Sequence, residues 1–290
     1  MPGIIYFTGN ALDWMGVLLT ASCGFTIARQ AGLFNIGIEG QMYAGGFCAS
    51  AVMLGLYGQI PPFLVLCAGV AAACAAGALM GALCGICKRF FQAHELITSF
   101  LLAAFIVPLL NYLIGGPLRG TDGNLLAMRR LPKELISPRI LPPSSLNVLI
   151  LAALVLPSLF WLALYRNRHG YRMRIAGAAP AFARYAGIQP ERFWIGSMAT
   201  SGICAALAGF MAVAGTDGIC HQGFPSGTGW AAIAAGLIAR NEPLLLYPAC
   251  LFYTILKFTA GIAFLDSGLG SSIFTVLTGT ILFFSTITKR

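Results

Sequence analysis

The sequence predicts an all-α fold, a polytopic transmembrane helix bundle of about nine spans, within a range of eight to ten. Three observations carry that expectation. Of the 290 residues, 58% are hydrophobic and only 9% charged, against roughly 25% charged in soluble domains. Mean hydropathy is +0.82. Apolar runs recur along the whole length, each near the roughly 20 residues a helix needs to cross a hydrocarbon core. The runs are continuous rather than alternating, which selects helices over a β-barrel.

In order, the spans are expected at residues 5–28, 36–57, 62–86, 95–115, 146–165, 193–215, 228–240, 243–263 and 269–287. Together they make residues 1–290 a single transmembrane domain. The amino terminus lacks a basic n-region and a cleavage site, so the first run is expected in the mature protein. Pro61 and Pro62 mark the turn between the second and third spans. In the third, Gly77, Gly81 and Gly85 form overlapping G-x-x-x-G patterns that let another helix approach closely. Glu95 opens the fourth, where a carboxylate favours the helix amino terminus. The seventh follows the Gly-Phe-Pro-Ser-Gly-Thr-Gly run at 223–229 and is short, a half-helix. Discontinuous helices are therefore expected near 32–41 and 223–240.

Lys and Arg counted by side set the orientation. One side holds Arg29, Lys88, Arg89, Arg166, Arg168, Arg172, Arg174, Arg184, Arg192, Arg240, Lys289 and Arg290. The other holds Arg119, Arg129, Arg130, Lys133 and Arg139. The more basic side faces the cytoplasm. The net charge of +9 thus belongs to loops between spans and does not point to nucleic acid. The 116–144 segment, with five prolines, runs over the outer surface and shares Asp122 and Glu134 with its cations.

Arg29–Ala44 holds Asn35, Glu39 and Gln41 between apolar runs, threaded by Gly32, Gly37 and Gly40. A carboxylate in so apolar a setting is expensive to bury and marks function. On a helix, Asn35 and Glu39 would share a face and could meet a solute's hydroxyls in a cavity. Alternatively, Glu39 bonds backbone groups freed by the glycines and fixes a broken helix. Asn111 and Trp230 complete the candidate pathway set with Gln41.

Residues 166–192 form the largest cytoplasmic segment. Pro180, then Ala181 to Ala186, then Gly187 punctuate a two-turn helix that projects Phe182 and Tyr185, with Arg184 near its end. Such a segment either lies on anionic lipid headgroups or docks a soluble partner.

Other polar residues carry less. Lys257 either pairs with Asp266 or snorkels to the interface. Asp217 and His221 are four apart without a third metal ligand, which fits solvation or contact with a docking protein. Nine cysteines, an odd number, lie almost wholly in apolar runs, which argues against a disulfide framework, and the Cys84–Cys87 pair lacks a second pair. No nucleophile–base arrangement or facing carboxylate pair emerges, so neither catalysis, cofactor nor metal is expected.

Three segments in sequence resemble the permease subunits of ATP-binding cassette importers for simple sugars, nucleosides, riboflavin and branched-chain amino acids. They are Gly32-Leu33-Phe34-Asn35-Ile36-Gly37-Ile38-Glu39-Gly40-Gln41-Met42, then Arg174-x-x-Gly177 with Ala183-Arg184-Tyr185-Ala186-Gly187-Ile188, and Gly227-x-Gly229-Trp230-x-x-Ile233-Ala234 on to Pro243. Glu95-Leu96-Ile97 also fits. Ala179-Pro180 replaces the family's usual Asn-Pro, and Trp230 stands where Phe is common.

The resemblance implies that 166–192 is the ATPase-coupling loop, with Arg174, Gly177, Pro180, Phe182, Arg184, Tyr185 and Gly187 at the contact. It implies ATPase subunits, a second identical or homologous permease, and a substrate-binding lipoprotein or periplasmic protein as partners in a bacterial inner membrane, beside lipid. A nucleoside or riboflavin would be the solute, with a simple sugar next. The chain has no G-x-x-x-x-G-K-[ST] phosphate loop, so ATP chemistry would sit on a partner. A different class, a secondary transporter coupled to protons through Glu39, accounts for the buried acid but not for the aromatic docking helix.

Overall fold

The computed structural model describes residues 2–121, 124–263, 273 and 275–281. Its helices are α1 (Pro2–Gln30), α2 (Ile38–Leu56), α3 (Pro62–Phe91), α4 (Glu95–Gly115), α5 (Leu149–Tyr165), α6 (Arg168–Ala178), α7 (Pro180–Tyr185), α8 (Glu191–Phe210), α9 (Thr228–Ile238) and α10 (Leu246–Ala263). The all-α membrane bundle expected from the sequence is what the chain forms.

α1 is the axle. Every residue from Met15 to Ala28 is buried, and the helix packs against α8, α5, α9 and α10. A span with no lipid-facing stripe must be surrounded by protein, and small residues let the neighbours close in. The same logic holds α3 on α8. A Cβ added at Gly77 would overlap the Gly202 carbonyl, and one at Gly81 the Met198 carbonyl. The G-x-x-x-G stripe is thus the groove into which α8 fits. By contrast, α4 and α5 turn apolar faces outward, including Phe100, Phe105, Leu151 and Val155, as lipid-facing helices do.

Five helical stretches are long and apolar enough to cross a membrane: Ile5–Gln30, Pro62–Phe91, Glu95–Gly115, Glu191–Asp217 and Pro243–Gly261. Leu149–Tyr165 and Arg168–Ala178 together make a sixth, bent by 82°. The remaining expected spans differ. α2 begins with Glu39 and Gln41 in its first turns, and α9 has 11 residues, about 16 Å at 1.5 Å per residue. That is half a bilayer core, as the glycine-rich approach to it requires. The 269–287 run falls largely outside the described residues; of its described part, 275–281 is helical.

Two departures bear on function. Residues 166–192 hold two helices rather than one: α6 precedes the short α7 and bends 82° away from α5. At the other end, α8 continues as a π-helix over Met211–Asp217, an irregularity that often marks functional positions. Residues 128–137 dock on that continuation and the turn after it, with the Ser137 amide donating to the Ala214 carbonyl and the Leu131 and Met128 amides to those of Gly218 and Cys220.

Candidate functional site

α1 stops where Gly32 adopts φ +75°, and residues 33–36 leave helical geometry. Asn35 organises this break. Its Nδ2 donates to Gln41 Oε1 at 2.8 Å and to Ser201 Oγ at 2.9 Å, while its Oδ1 accepts from the Gly37 amide at 2.9 Å. The Ile36 amide donates to Ser99 Oγ at 3.1 Å. The node ties α2, α4 and α8 together, with Asn35 at 0% exposure. Asn35 and Glu39 do not share a helix face, contrary to the sequence expectation. By capturing the Gly37 amide, Asn35 forms a turn before α2 begins, a conformation Asn adopts readily.

Glu39 reaches the other way. Its Oε1 accepts from the Gly227 amide at 2.8 Å and its Oε2 from the Gly229 amide at 2.6 Å. These amides open α9, so the carboxylate satisfies orphan donors and opposes the positive end of the helix dipole. Gly229 is small because the Glu39 backbone lies against it; an added Cβ would come within 2.6 Å of the Glu39 nitrogen. Two sequence motifs, nearly 190 residues apart, meet in one carboxylate.

Beside this junction lies a cavity of 620 Å³. One wall is a face of α1: Tyr6, Asn10, Asp13, Trp14 and Val17 recur at helical spacing. The π-helical segment adds Thr216 and Asp217, the following turn His221 and Phe224, and α10 Lys257 and Phe258. Asp13, 4% exposed, accepts from Asn147 Nδ2 at 2.6 Å and from Thr216 Oγ1 at 2.7 Å. The Lys257 ammonium lies 3.9 Å from the Trp14 ring centroid, and Trp14 Nε1 donates to Thr228 Oγ1 at 3.2 Å. Thr228 sits between the two glycines that Glu39 holds, so the chamber floor and the junction are one structure. His221 and Asp217 approach to 3.8 Å on the chamber wall. Among the described residues, no His, Cys, Asp and Glu group could hold a metal ion.

The other expected pathway residues lie apart from the chamber. Asn111 Oδ1 accepts from Tyr43 Oη at 2.5 Å and its carbonyl accepts from Gln222 Nε2 at 2.6 Å. Trp230 is exposed on α9. Glu95 pairs with Lys88 at 2.5 Å. Asp266, which the sequence offered as one of two alternatives for Lys257, lies outside the described residues.

At the arginine-rich end of the bundle, Arg174 packs over the Tyr165 ring at 3.8 Å and donates to the Leu164 carbonyl at 3.2 Å. Gly177 lies on the Gln30–Gly32 backbone. Pro180 opens α7, and Gly187 closes it with φ +76°. The Gly187 and Ile188 amides donate to the Arg184 and Ala183 carbonyls, the paired bonds of a glycine-terminated helix. Arg184 bonds Glu191 at 2.5 Å. Phe182 and Tyr185 are left 63% and 93% exposed.

Sequence reasoning missed the chamber, although Asp13 is the only carboxylate in the first apolar run. The rule that singled out Glu39 applies to it equally. With Tyr6, Asn10 and Trp14 it forms a polar stripe at i, i+4, i+7 and i+8, which a helical projection of that run exposes.

Residues 7–286 match the family model described as branched-chain amino acid transport system / permease component. Over 92% of this chain and 70% of the relative, it is 31% identical to "Probable riboflavin import permease protein RfuC" of Treponema pallidum. It is 28% identical to the guanosine ABC transporter permease protein NupP of Bacillus subtilis, over 97% of this chain and 81% of that one. It is 26% identical to the nucleoside ABC transporter permease protein NupB of Lactococcus lactis, over 95% and 78%. With its membrane-crossing helices, the chain therefore belongs to the branched-chain amino acid transport system permease family and is a multi-pass permease of the ATP-binding cassette importer class.

Proposed function

We propose that this permease carries a nucleoside or riboflavin inward across a bacterial cytoplasmic membrane, with a simple sugar as the next candidate. The relatives named for riboflavin, guanosine and nucleosides support that solute class. The solute arrives from a separate binding protein, a lipoprotein or periplasmic protein. Two permease chains, identical or homologous, form the path, and ATPase subunits supply the energy.

The observation that carries this reading is the cytoplasmic segment. α6 turns 82° away from α5, and α7 presents Phe182 and Tyr185 without covering them. Exposed aromatics on a short, capped helix are the form of an anchor that fills a partner's pocket. Arg174, Gly177, Pro180, Arg184 and Gly187 shape and hold that anchor. The resting place of Asn35, Glu39 and Gln41 in completed hydrogen bonds supports a role in fixing the broken helices, beside which the solute passes. Glu39 is occupied by two backbone donors, so the proton-coupled reading has no observation in its favour.

Reconstitution tests the proposal. Liposomes holding the permease, its ATPase and its binding protein should take up guanosine or riboflavin only when ATP is inside the ATPase compartment. Uptake driven by a pH gradient without any ATPase would overturn it.

A further inference from the structure

The 166–192 segment holds six arginines against one acid, Glu191. Three of the six are engaged within the fold. Arg166 lies over the Trp161 ring and Arg174 over the Tyr165 ring, while Arg184 pairs with Glu191 at 2.5 Å. The other three, Arg168, Arg172 and Arg192, line one cavity of 440 Å³ between α6 and the start of α8. That volume falls within the roughly 300–1,000 Å³ of small-molecule sites.

The charge of this cavity is one-sided. Among the described residues its lining holds no carboxylate and no histidine, so the three guanidinium groups are its whole formal charge. The side chains of Arg168 and Arg172 make neither an ion pair nor a hydrogen bond among the described residues. Arg192 gives its Nε to Gln189 Oε1 at 2.7 Å, which leaves its two Nη groups to face the cavity's other cations. Arg168 and Arg172 are four apart on α6, where like charges repel. An anion among the three relieves that repulsion, and guanidinium forks match the oxygens of a phosphate.

Position decides which phosphate. Arg168 lies three residues beyond the end of α5, and Arg192 is in the first turn of the membrane-crossing stretch Glu191–Asp217. The cavity therefore sits where the chain leaves the apolar layer. α5 turns Val155, Leu159 and Leu162 outward as a lipid-facing stripe, and the stacked rings of Trp161 and Tyr165 at its end fit an interfacial belt. The arginine count assigns this end to the cytoplasmic leaflet, whose anionic lipids attract such clusters. Phe182 and Tyr185, the aromatics proposed above as the ATPase anchor, are not among the residues that line the cavity.

We propose that Arg168, Arg172 and Arg192 bind the phosphate of an anionic phospholipid headgroup, with Tyr171 and Phe193 as the apolar wall of the site. A headgroup held there pins α6 at the membrane surface. Through Gly177, which lies on the Gln30–Gly32 backbone, it bears on the break that ends α1. The site serves the permease whatever solute is carried, and it is separate from the ATPase anchor on α7.

The permease with its ATPase tests this, with phosphatidylglycerol, phosphatidylcholine and inorganic phosphate as probes. In native mass spectrometry the first phosphatidylglycerol should bind about tenfold or more tighter than phosphatidylcholine, and inorganic phosphate at equal concentration should not displace it. Arg168→Gln with Arg172→Gln should weaken phosphatidylglycerol about tenfold or more and leave phosphatidylcholine unchanged. Arg168→Lys with Arg172→Lys should restore most of the binding. Both side chains are exposed, so yield and melting point should hold in either variant. Independently, and without any substitution, phenylglyoxal should modify Arg168 and Arg172 several-fold more slowly in liposomes containing phosphatidylglycerol than in phosphatidylcholine alone. Equal phosphatidylglycerol affinity in the glutamine variant, or equal modification in the two bilayers, overturns the site. Displacement by inorganic phosphate overturns the lipid as its occupant. Loss of the ATPase from the glutamine variant with phosphatidylglycerol still bound overturns it as well, and assigns the arginines to the ATPase contact.

Discussion

Gly32 and Gly177 meet backbone to backbone: a Cβ on Gly32 would lie 2.8 Å from the Gly177 carbonyl oxygen and 2.9 Å from its Cα. Gly32 ends α1 at φ +75°, and Gly177 is in the last turn of α6. No other residue fits either place without moving the pair apart. The contact joins the 166–192 segment to the break that Asn35 and Glu39 organise, and through Thr228 to the chamber floor. Elements packed this closely shift together or not at all.

Gly177→Val should therefore weaken coupling even if the chain folds. The expected result is ATP hydrolysis by the reconstituted complex with solute moved per ATP reduced several-fold. Transport per ATP equal to the unaltered complex would show that the contact does not transmit motion.

Glu39→Gln tests the junction. The amide retains one acceptor oxygen, but its NH₂ group faces one of the two glycine amides that the carboxylate now serves. A lost charge-assisted hydrogen bond is worth about 1.5–3 kcal/mol. Thermal unfolding in detergent should shift down, and Glu39→Ala should shift it further. A melting point unchanged in Glu39→Gln would mean that the negative charge contributes nothing to holding α9.

Asn35→Ala removes the partner of Gln41, Ser201 and the Gly37 amide at once. In a fully buried site each abandoned polar group costs about 1–3 kcal/mol, so this variant should be among the least stable single substitutions. Expression and melting point read the effect. Asn35→Asp should not rescue, since a carboxylate cannot donate to Gln41 and Ser201.

Much of this was legible in the sequence, and the reasons differ by residue. The apolar runs gave the bundle, and the glycines at 32 and 227–229 gave its broken helices, because backbone freedom and hydropathy are local properties. α6 was not foreseen: Arg168, Arg172 and Arg174 make its composition loop-like, and its buried side needs only Gly170, Met173 and Ala176. Glu39 stood out as a buried acid, yet its partners lie far along the chain in residues with no side chain to announce them. Lys257 and Trp14 likewise meet only through folding. The chamber stripe on α1 was readable, but strong apolar neighbours drew attention to membrane crossing instead.

The central claim, that α7 carries the force of ATP hydrolysis into the bundle, is tested most directly by Phe182→Ala with Tyr185→Ala. Neither side chain supports the fold, since both are largely exposed. Truncating two anchor aromatics should cost about 2 kcal/mol or more each in affinity for the ATPase subunits. The permease should purify in normal yield without bound ATPase, and ATP-driven uptake should vanish. Co-purification of the ATPase with full uptake would contradict the account.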